Sequence, residues 1–547
     1  MARPISFKRP ASLGAKVLSK LAVAAGVAPQ PLAFFSPSKG LDTTSRLSQV
    51  PKENAVVLKN YVLQRGRTEP RFPVSAMGSA AASPVMYAAD LITLSGLTIP
   101  FRLKTSGMDT YDQITGLWTA VAGVALTGGV TDFFAVTTFG SKLLFSNGVN
   151  GLWEYNPQTG TATKIVTSAK VPSARRLATF NNRAVATNVT DDTGSHPSRV
   201  RWSVKNNETL WDETDSVNIG AGFEDVVPSP GLEADDTHAA IPVTESVALL
   251  FRSHSVWLMS ATGAVDAPFT FSQLFAEVGT DSPYSIAAIP GGAVGLFRDN
   301  FYVVTPGGPV PIGSQIIDSL LPLIHDPFEV QGVYDPIRQE YRAVVKETGA
   351  VWRYSLREKG WTNDVYPFIP KSVAVTKYLK SNLVIDSLVG VIDSLTGVID
   401  DLGFVATVNG VYLPQSTALG VSGTVTREDP SASADVLLGG SPVGTEIRTG
   451  LILPDTALKV VEVVELQLEY ESSVSATLTF EWSSDGGSTW NSYSTKAVVA
   501  TSGPDVLSVR KSQAAKQLQF RVTTPGLSSV KLIALHAFAV TGAMRKP

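Results

Sequence analysis

The residues with the clearest chemical signature lie near the C-terminus, where residues 483–490 read SSDGGSTW. They fit the Asp-box motif S-x-D-x-G-x-T-W at its specified positions, which are Ser483, Asp485, Gly487, Thr489 and Trp490. In this motif the Ser and Asp side chains bond turn amides, Gly adopts a positive φ, and Trp packs beneath the turn. The motif therefore predicts a structural hairpin turn without a reactive group.

A sialidase-like glycoside hydrolase is the enzyme class that this motif brings into consideration, because Asp boxes are common in sialidases. Such enzymes use a tyrosine nucleophile, a glutamate partner and several arginines that bind the substrate carboxylate. Arg252, Arg298 and Arg353 occupy related positions in a repeated hairpin. Each stands at a predicted strand end or turn, where arginine is ordinarily solvated, and the Asp box lies outside the repeated region. We therefore treat the hydrolase as the least favoured alternative.

Other patterns of catalytic or metal-binding residues do not occur in the sequence. There is no cysteine, and the five histidines are too far apart to form a metal-binding motif. Neither a phosphate-binding loop nor G-x-S-x-G occurs. Carboxylates cluster at residues 191–192 and 233–236, in loops rich in Gly, Pro and Thr, which favours solvated turns over a metal site. We expect no catalytic residue, no cofactor and no metal.

A tandem repeat, VIDSLVG-VIDSLTG-VIDDLG, spans residues 384–403. Its acidic residues Asp386, Asp393 and Asp400 are each separated by seven positions. This spacing is wider than that of the ligands in calcium-binding loops. A cation site and a regular connector are the two alternatives, and the spacing favours the connector.

A hairpin pattern recurs through the middle of the chain and would position any functional group. It consists of an apolar strand, a polar turn and a second strand that begins with an aromatic residue, as in KLLFSNGVNGLWEY at residues 142–155. Steps of 49, 55, 45 and 50 residues separate the aromatic residues of successive copies, which are Trp153, Trp202, Trp257, Tyr302 and Trp352. This period is typical of β-propeller blades rather than of helical repeats.

The pattern predicts an all-β protein whose central region is a β-propeller of six or seven blades, and Trp118 would mark a less regular first blade. Four short strands are predicted in one copy, at residues 132–139, 143–146, 151–155 and 161–166, with Asn and Gly in the turns. The aromatic residues are expected to pack between neighbouring blades, since a single blade cannot bury its own faces.

One helix is predicted at residues 314–324. Ser314 can cap its N-terminus, and the apolar face is formed by Ile316, Leu320, Leu323 and Ile324, although Pro322 should distort the last turn.

Composition divides the chain into three predicted domains. Residues 1–72 contain twelve basic and three acidic residues, a net charge of +9, and are predicted to form an extended basic arm. Residues 73–403 form the predicted propeller and end in the tandem connector. Residues 404–547 contain strand-like runs bounded by Gly, Pro and Ser, which predicts a separate β-sandwich.

The basic arm has two interpretations, a solvated tail and an arm that contacts an acidic neighbouring subunit or nucleic acid. Lys8, Arg9, Lys16 and Lys20 are the candidate contact residues of the second interpretation. The formal net charge of the whole chain is -3, which gives no reason to expect a global nucleic-acid-binding surface. No apolar run is long enough to predict a membrane span.

An ordered series of motifs extends from residue 40 to residue 403. It begins with GLDTTSRLSQVPKENAVVLKNYVLQRGRTEPRFP and ends with the VIDSL repeat. Between them come VPSARRLATFNNRAVATN, SRVRWS with Trp211 after it, LLFRSHSVWLM, the run at residues 268–315, and GVYDPIRQEYRAVV. Together these stretches resemble phage tail nozzle proteins, which are the tail-hub and packaged-DNA-stabilising proteins of short-tailed phages.

The resemblance implies a structural protein of the virion that has no catalytic activity. Copies of such proteins form a ring, usually of six, below the portal and adaptor, around the channel in which DNA is held and from which it is ejected. The implied partners are further copies of the chain, the adaptor or portal ring, tail fibre or needle proteins, and the passing genomic DNA.

The implied location is the phage tail, with assembly in the host cytoplasm. The main alternative is a receptor-binding or carbohydrate-binding tail protein that uses the predicted C-terminal sandwich.

Overall fold

A computed structural model describes residues 30–216, 218–226, 235–379, 407–416, 423–428, 444–454, 459–501, 503–527 and 530–543. β-strands account for most of the regular structure in these residues, so the predicted all-β class is confirmed. The predicted connector at residues 384–403 lies outside the described residues.

The described residues form two compact units, which we call the central unit and the terminal unit. The central unit corresponds to Phe72–Val443. The terminal unit combines the described parts of Met1–Arg71 and Gly444–Pro547. This division differs from the predicted domains, because part of the predicted arm belongs to the same unit as the C-terminal strands.

Strand pairing explains both differences in the boundaries. Gln30–Phe35, in the predicted arm, pairs antiparallel with Val530–Ala543. Gly423–Glu428, in the predicted sandwich, instead pairs with Val74–Ala81 of the central unit. Compositional bias marked the arm correctly as basic but carried no information about these long-range partners.

Five strands precede the repeated region. They are β1 (Gln30–Phe35), β2 (Val57–Lys59), β3 (Tyr61–Gln64), β4 (Arg67–Pro70) and β5 (Val74–Ala81).

Six successive groups of four antiparallel strands follow within the described residues, and in each group every strand pairs with the next one in the chain. The first three groups are β6 (Val85–Ile92), β7 (Thr98–Lys104), β8 (Gly107–Asp112), β9 (Leu117–Ala120); β10 (Ala135–Phe139), β11 (Lys142–Ser146), β12 (Trp153–Asn156), β13 (Thr161–Lys164); and β14 (Ser173–Phe180), β15 (Arg183–Asp191), β16 (Gly194–Trp202), β17 (Gly222–Asp225). The last three are β18 (Thr237–Pro242), β19 (Val247–Arg252), β20 (Ser255–Ala261), β21 (Phe269–Ala276); β22 (Ala287–Ile289), β23 (Gly292–Leu296), β24 (Phe301–Thr305), β25 (Gly308–Pro311); and β26 (Val330–Asp335), β27 (Glu340–Val345), β28 (Ala350–Ser355), β29 (Gly360–Asp364).

The second group contains the four strands predicted within residues 132–166, with bounds that differ by a few residues. Its turns use glycine where the backbone is left-handed, since Gly148 has φ +76° and Gly160 has φ +68°. A residue with a Cβ atom is disfavoured in this conformation. The glycines in the sequence therefore predicted the positions of these turns correctly.

The repeated aromatic residues share one structural position, the third strand of their group. Trp153 begins β12, Trp202 ends β16, and Trp257, Tyr302 and Trp352 lie within β20, β24 and β28. The spacing of these residues in the sequence therefore corresponds to the length of one four-strand group.

Apolar side chains from neighbouring groups share common cores. In the core between the third and fourth groups, Trp202 lies with Leu250 and Phe269, and the rings of Trp202 and Phe269 are 5.2 Å apart in a T-shaped contact. The first and second groups likewise share a core that contains Phe101 and Trp153. Trp153 and Trp202 thus pack between groups, as expected for faces that one group cannot bury alone.

A composite sheet follows the sixth group. It contains β5 together with β30 (Ile369–Pro370), β31 (Ala374–Leu379), β32 (Thr407–Ser416) and β33 (Gly423–Glu428). β31 pairs with β32, β32 with β33, and β33 with β5, so strands from the two ends of the central unit form one sheet.

The first strands of successive groups are neighbours in space. β10 contacts β14, β14 contacts β18, β18 contacts β22, and β22 contacts β26. β26 then contacts β31, and β31 contacts β6 of the first group. The composite sheet therefore connects the sixth group to the first, and the first group is connected to the second through their shared core.

The helix is much shorter than predicted. α1 (Ile317–Leu320) is followed by a 3-10 turn at Leu321–Leu323, and further 3-10 turns lie at Pro283–Ser285 and Pro327–Glu329. Ser314 does not cap the helix, because the N-cap residue is Ile316 and makes no side-chain cap. Ile316 and Leu320 are buried as predicted, whereas Leu323 and Ile324 are partly exposed. Pro322 lies in the 3-10 turn, where it interrupts α-helical hydrogen bonding.

The remaining strands belong to the terminal unit. They are β34 (Glu446–Arg448), β35 (Lys459–Ser472), β36 (Ala476–Ser483), β37 (Asn491–Val498), β38 (Asp505–Ala515), β39 (Gln519–Thr523) and β40 (Val530–Ala543). One series of paired strands runs β3-β4-β40-β35-β38, with β1 also pairing with β40, and a second runs β2-β34-β39-β36-β37. Strands from the predicted arm thus complete both series.

Candidate functional site

Among the described residues, a large buried group of charges lies where the sixth strand group meets β33. We call it the arginine cluster, and it contains Arg338, Glu340, Arg342, Arg353, Asp364, Tyr366 and Glu428. Glu340 and Arg342 are two positions apart on β27 and therefore point to the same face of the sheet. Arg353 is the direct cross-strand partner of Arg342, which brings both guanidinium groups together.

Glu428 lies at the centre of the arginine cluster. Its Oε1 accepts hydrogen bonds from Arg342 Nη1 at 2.6 Å and from Arg353 Nη2 at 2.8 Å, and its Oε2 accepts one from Arg338 Nη1 at 3.0 Å. Glu340 accepts from Arg342 Nε at 2.7 Å. The cluster thus pairs three arginines with the carboxylates of Glu340, Asp364 and Glu428.

The pKa of Glu428 reflects this pairing. Burial alone would raise it, but Arg342, Arg353 and Arg338 hold the pKa of this carboxyl well below its usual value. Burial would likewise lower the pKa of Arg353, yet Asp364, Glu428 and Glu340 raise it well above its usual value. Both groups are therefore charged, and each keeps its charge because oppositely charged partners offset the cost of burial.

The arginine cluster gathers the residue types of a sialidase site but lacks access to a substrate. Arg342 and Arg353 are 1% exposed and Glu428 is 0% exposed. The arginines already bind carboxylates of the chain itself, so a substrate carboxylate would have to displace them. The buried ion pairs of the arginine cluster connect β27, β28 and β33.

The prediction that the repeated arginines are solvated is wrong for two of the three. Arg252 is fully buried and pairs with Asp235 at 3.1 Å, and Arg353 belongs to the arginine cluster. Arg298 is exposed and pairs with Asp281 at 2.9 Å. The buried arginines are tolerated because each has a carboxylate or carbonyl partner that offsets its desolvation.

The carboxylates predicted to lie in solvated turns are also partly buried. The Asp191 side chain is inaccessible to solvent and lies 3.1 Å from both Arg199 and Arg201, and Asp235 pairs with Arg252. Glu233 lies outside the described residues. In the part of the chain that the structure describes, no group of His, Asp and Glu residues has the arrangement of a metal site.

The Asp-box residues form a tight turn between β36 and β37. Ser483 Oγ accepts a hydrogen bond from the Gly487 amide at 2.9 Å, and Asp485 Oδ1 accepts one from the Thr489 amide at 2.9 Å. The Thr489 hydroxyl donates to Asp485 Oδ2 at 2.6 Å, and Gly487 has φ +89°. Hydrogen bonds from Ser483 and Thr489 lower the pKa of Asp485.

Trp490 is half-buried and lies against charged side chains. The guanidinium carbon of Arg521 is 4.5 Å from the centre of the Trp490 ring, and that of Arg448 is 5.3 Å from it. These contacts stabilise the turn through cation–π attraction.

A polar cavity of about 530 Å³ lies in the central unit, at the end of the sheets where the first strands begin. Its lining comes from the segments before β10, β18, β22 and β26, from the turn after β11, and from residues of β14, β15 and β16. Four carboxylates line it: Asp132, Asp236, Asp326 and Glu329. Sequence reasoning missed this cavity, because these residues are scattered over almost two hundred positions and meet only in the folded unit.

Aromatic and cationic side chains lie beside this cavity. Phe133 and Tyr284 line it, and Lys346 Nζ lies 3.3 Å from the centre of the Phe133 ring and 5.3 Å from that of Tyr284. Burial lowers the pKa of Lys346 to about 7, against the opposing effect of Glu329. Burial also raises the pKa of Tyr284 to about 12.

The predicted contact residues of the basic arm, Lys8, Arg9, Lys16 and Lys20, lie outside the described residues. Across the part of the chain that is described, none of the helices has the length and apolar character of a membrane span.

No protein-family model matches this sequence, and no curated protein matches it.

Proposed function

We propose that the chain is a structural subunit of a phage tail nozzle. Copies would form a ring around the DNA channel below the portal and adaptor, hold the packaged DNA and let it pass during ejection. The proposal starts from the resemblance of residues 40–403 to such proteins. It locates the chain in the virion and assigns it no catalytic step.

The observation that carries the proposal is the closed series of contacts in the central unit. The six strand groups and the composite sheet support a seven-bladed β-propeller, the upper of the two blade counts predicted. In this interpretation β5 supplies the outer strand of the last blade, so the N-terminal end of the unit holds its C-terminal end in place. Such a radial arrangement leaves only short, protected sheet edges and gives a stiff body.

A stiff body suits a wall that confines DNA under pressure. The arginine cluster adds to this stiffness, because it joins the sixth group to β33 through buried ion pairs whose breakage is costly. Rigid, permanently assembled subunits are expected to bury large interfaces with their neighbours.

The terminal unit is the proposed site of contact with other tail components. Its two strand series, each containing strands from the N-terminal and C-terminal ends, support a β-sandwich in which part of the predicted arm is incorporated. Lys8, Arg9, Lys16 and Lys20 are the proposed contact residues for an acidic neighbouring subunit or DNA.

Neither alternative gains support from a specific observation. A carbohydrate-binding surface would need an aromatic face open to a sugar ring, but arginines lie against the Trp490 ring. A sialidase-like site would need arginines accessible to a substrate, but Arg252 and Arg353 are buried and paired.

The proposal is tested by finding where the chain resides. Phage particles whose genome encodes it are purified and separated into heads and tails, and the chain is quantified by mass spectrometry against the portal protein. We expect it in the tail fraction, in a constant ratio to the portal subunits. Particles with complete tails that lack the chain would disprove the proposal.

A further inference from the structure

A cavity of about 30 Å³, which we call the small cavity, lies among the first strands of four groups in the central unit. Its lining includes Tyr87 of β6, Val136 of β10, Arg176 of β14 and Gln331 of β26, together with Lys346 directly after β27. A volume of this size holds roughly two waters or one ion of similar size.

The charged groups that line the small cavity are cationic. Arg176 and Lys346 are its two basic residues, and no acidic residue is among the described residues of its lining. Two positive charges that share a space of low dielectric repel each other. A negative charge in this space would relieve the repulsion and offset the cost of burying both cations.

Lys346 is a buried cation for which the described residues supply no counter-charge. The residue is 2% exposed, and its Nζ atom forms neither an ion pair nor a hydrogen bond within the described part of the chain. Its amide donates to the Glu329 carbonyl at 2.9 Å, but Glu329 lines the polar cavity and not the small one. Nζ lies 3.3 Å from the centre of the Phe133 ring. This cation–π attraction offsets only part of the cost of burying an ammonium group.

Arg176 likewise has a neutral partner in place of a carboxylate. Its Nη2 donates a hydrogen bond to the Ile286 carbonyl at 3.1 Å. Burial lowers the pKa of Arg176, and the effects that oppose burial come from the phenols of Tyr284 and Tyr87 and not from an acidic side chain. Buried charges in proteins are normally paired, and a buried charge without a partner indicates a bound ion or water.

We propose that the small cavity binds one halide ion, held by the Lys346 ammonium and the Arg176 guanidinium. Tyr284 lines the same cavity and is 6% exposed, and its hydroxyl makes no hydrogen bond to a described residue. It therefore provides a third donor. A halide ion accepts from several donors at once, and its size suits the cavity better than that of a phosphate or sulfate ion.

The ion would stabilise the fold of the central unit. Arg176 lies in the third strand group and Lys346 follows β27 of the sixth group, so one ion would connect segments that are 170 positions apart in the sequence. A ligand that binds the folded chain alone raises its stability. This site is independent of the role proposed for the chain in the phage tail.

Thermal unfolding of the full-length chain at pH 6 tests the site. Burial lowers the pKa of Lys346 to about 7, with Lys371 and Arg176 acting in the same direction and Glu329 against it, so the ammonium is charged at pH 6. The chain is dialysed into sodium gluconate, which is then replaced by chloride or bromide at constant sodium concentration. We expect a saturable rise in melting temperature of about 2 °C or more. Equal melting temperatures in the three salts would overturn the proposal, because water alone would then fill the cavity.

Matched substitutions locate the ion. Lys346→Met removes the ammonium and keeps a long side chain, whereas Lys205→Met makes the same change at an exposed lysine that does not line the cavity. Arg176→Gln provides a second cavity variant. We expect both cavity variants to lose the halide-dependent rise and Lys205→Met to keep it. A rise as large as that of the wild type in either cavity variant would refute the proposal.

Chloride NMR of the wild-type chain detects the ion without any substitution and decides the question even if the cavity variants do not fold. We expect the chain to broaden the chloride resonance at pH 6 and added bromide to reverse that broadening by competition. No broadening, or broadening that bromide does not reverse, would contradict a halide site.

Discussion

Arg342 donates a hydrogen bond to Glu428 at 2.6 Å, although the two residues are 86 positions apart in the chain. Both are buried, and the bond connects β27 of the sixth group to β33 of the composite sheet. β33 also pairs with β5, so this contact lies beside the joint between the two ends of the central unit. The fold can therefore be tested by measuring how substitutions at this contact change the stability of the central unit.

Glu428→Gln should destabilise the central unit by about 3–5 kcal/mol, since it leaves buried arginine charges without their carboxylate. Equilibrium unfolding in urea at pH 7 measures the loss. Glu347→Gln is the matched control, because Glu347 is an exposed glutamate paired with His325, and it should change the unfolding free energy by less than about 0.5 kcal/mol. Similar effects of the two substitutions would contradict the role assigned to the arginine cluster.

Met77→Cys combined with Val425→Cys tests the pairing of β5 with β33. The two residues are cross-strand partners, and the natural chain contains no cysteine that could compete. Directly opposed strand residues lie close enough for a disulfide. Oxidation should give a faster-migrating species on non-reducing gels and a higher melting temperature than reduction gives.

The single-cysteine variants are the controls for this experiment and should show neither change. If the double variant forms no intramolecular disulfide under oxidising conditions while it remains folded, the composite sheet is assigned incorrectly.

Leu250→Ala tests the packing between strand groups. Leu250 is fully buried in the core between the third and fourth groups, so its truncation should cost about 2–5 kcal/mol. Leu94→Ala makes the same chemical change at a residue that is 84% exposed and should cost less than about 0.5 kcal/mol. Thermal or urea unfolding distinguishes the two, and equal costs would argue against a shared core.

His238 should make stability fall with acidity. Burial lowers its pKa to about 4, against the opposing effects of Asp281 and Asp236, and its ring bonds Ser253 at 2.9 Å. An unfolded histidine has a pKa of about 6.5, so between pH 6.5 and 4 the unfolded state binds more protons. The unfolding free energy should therefore decrease through this window as pH falls, by on the order of 2–3 kcal/mol.

His238→Gln should remove this part of the pH dependence, as seen by comparing urea midpoints at pH 7 and pH 4.5. His325→Gln, at an exposed position, should preserve it. An unchanged pH profile for His238→Gln would show that this histidine is not the neutral buried group described.

Sequence patterns predicted the features that depend on local residue spacing. They did not predict the features that depend on contacts between residues far apart in the chain. The period from Trp153 to Trp352 matched the strand groups because each repeated aromatic residue lies in the third strand of its group. Gly148 marked its turn because few other residues adopt that backbone conformation.

The arginine cluster was missed because its members come from strands whose pairing is not encoded locally. Alternation offered one unused signal: Glu340 and Arg342 occupy alternate positions within the apolar strand β27, which places both charges on one buried face. The pairing of β1 with β40 had no local signal, so the arm was predicted as a separate domain.

Electron cryomicroscopy of purified phage tails is the most direct test of the central claim that this chain forms a wall around the DNA channel. The account predicts a closed ring, of six copies by the family resemblance, with the central unit of each copy fitting density below the adaptor. A tail whose channel wall is built without this chain, or a chain found as a trimer in distal fibres, would contradict it.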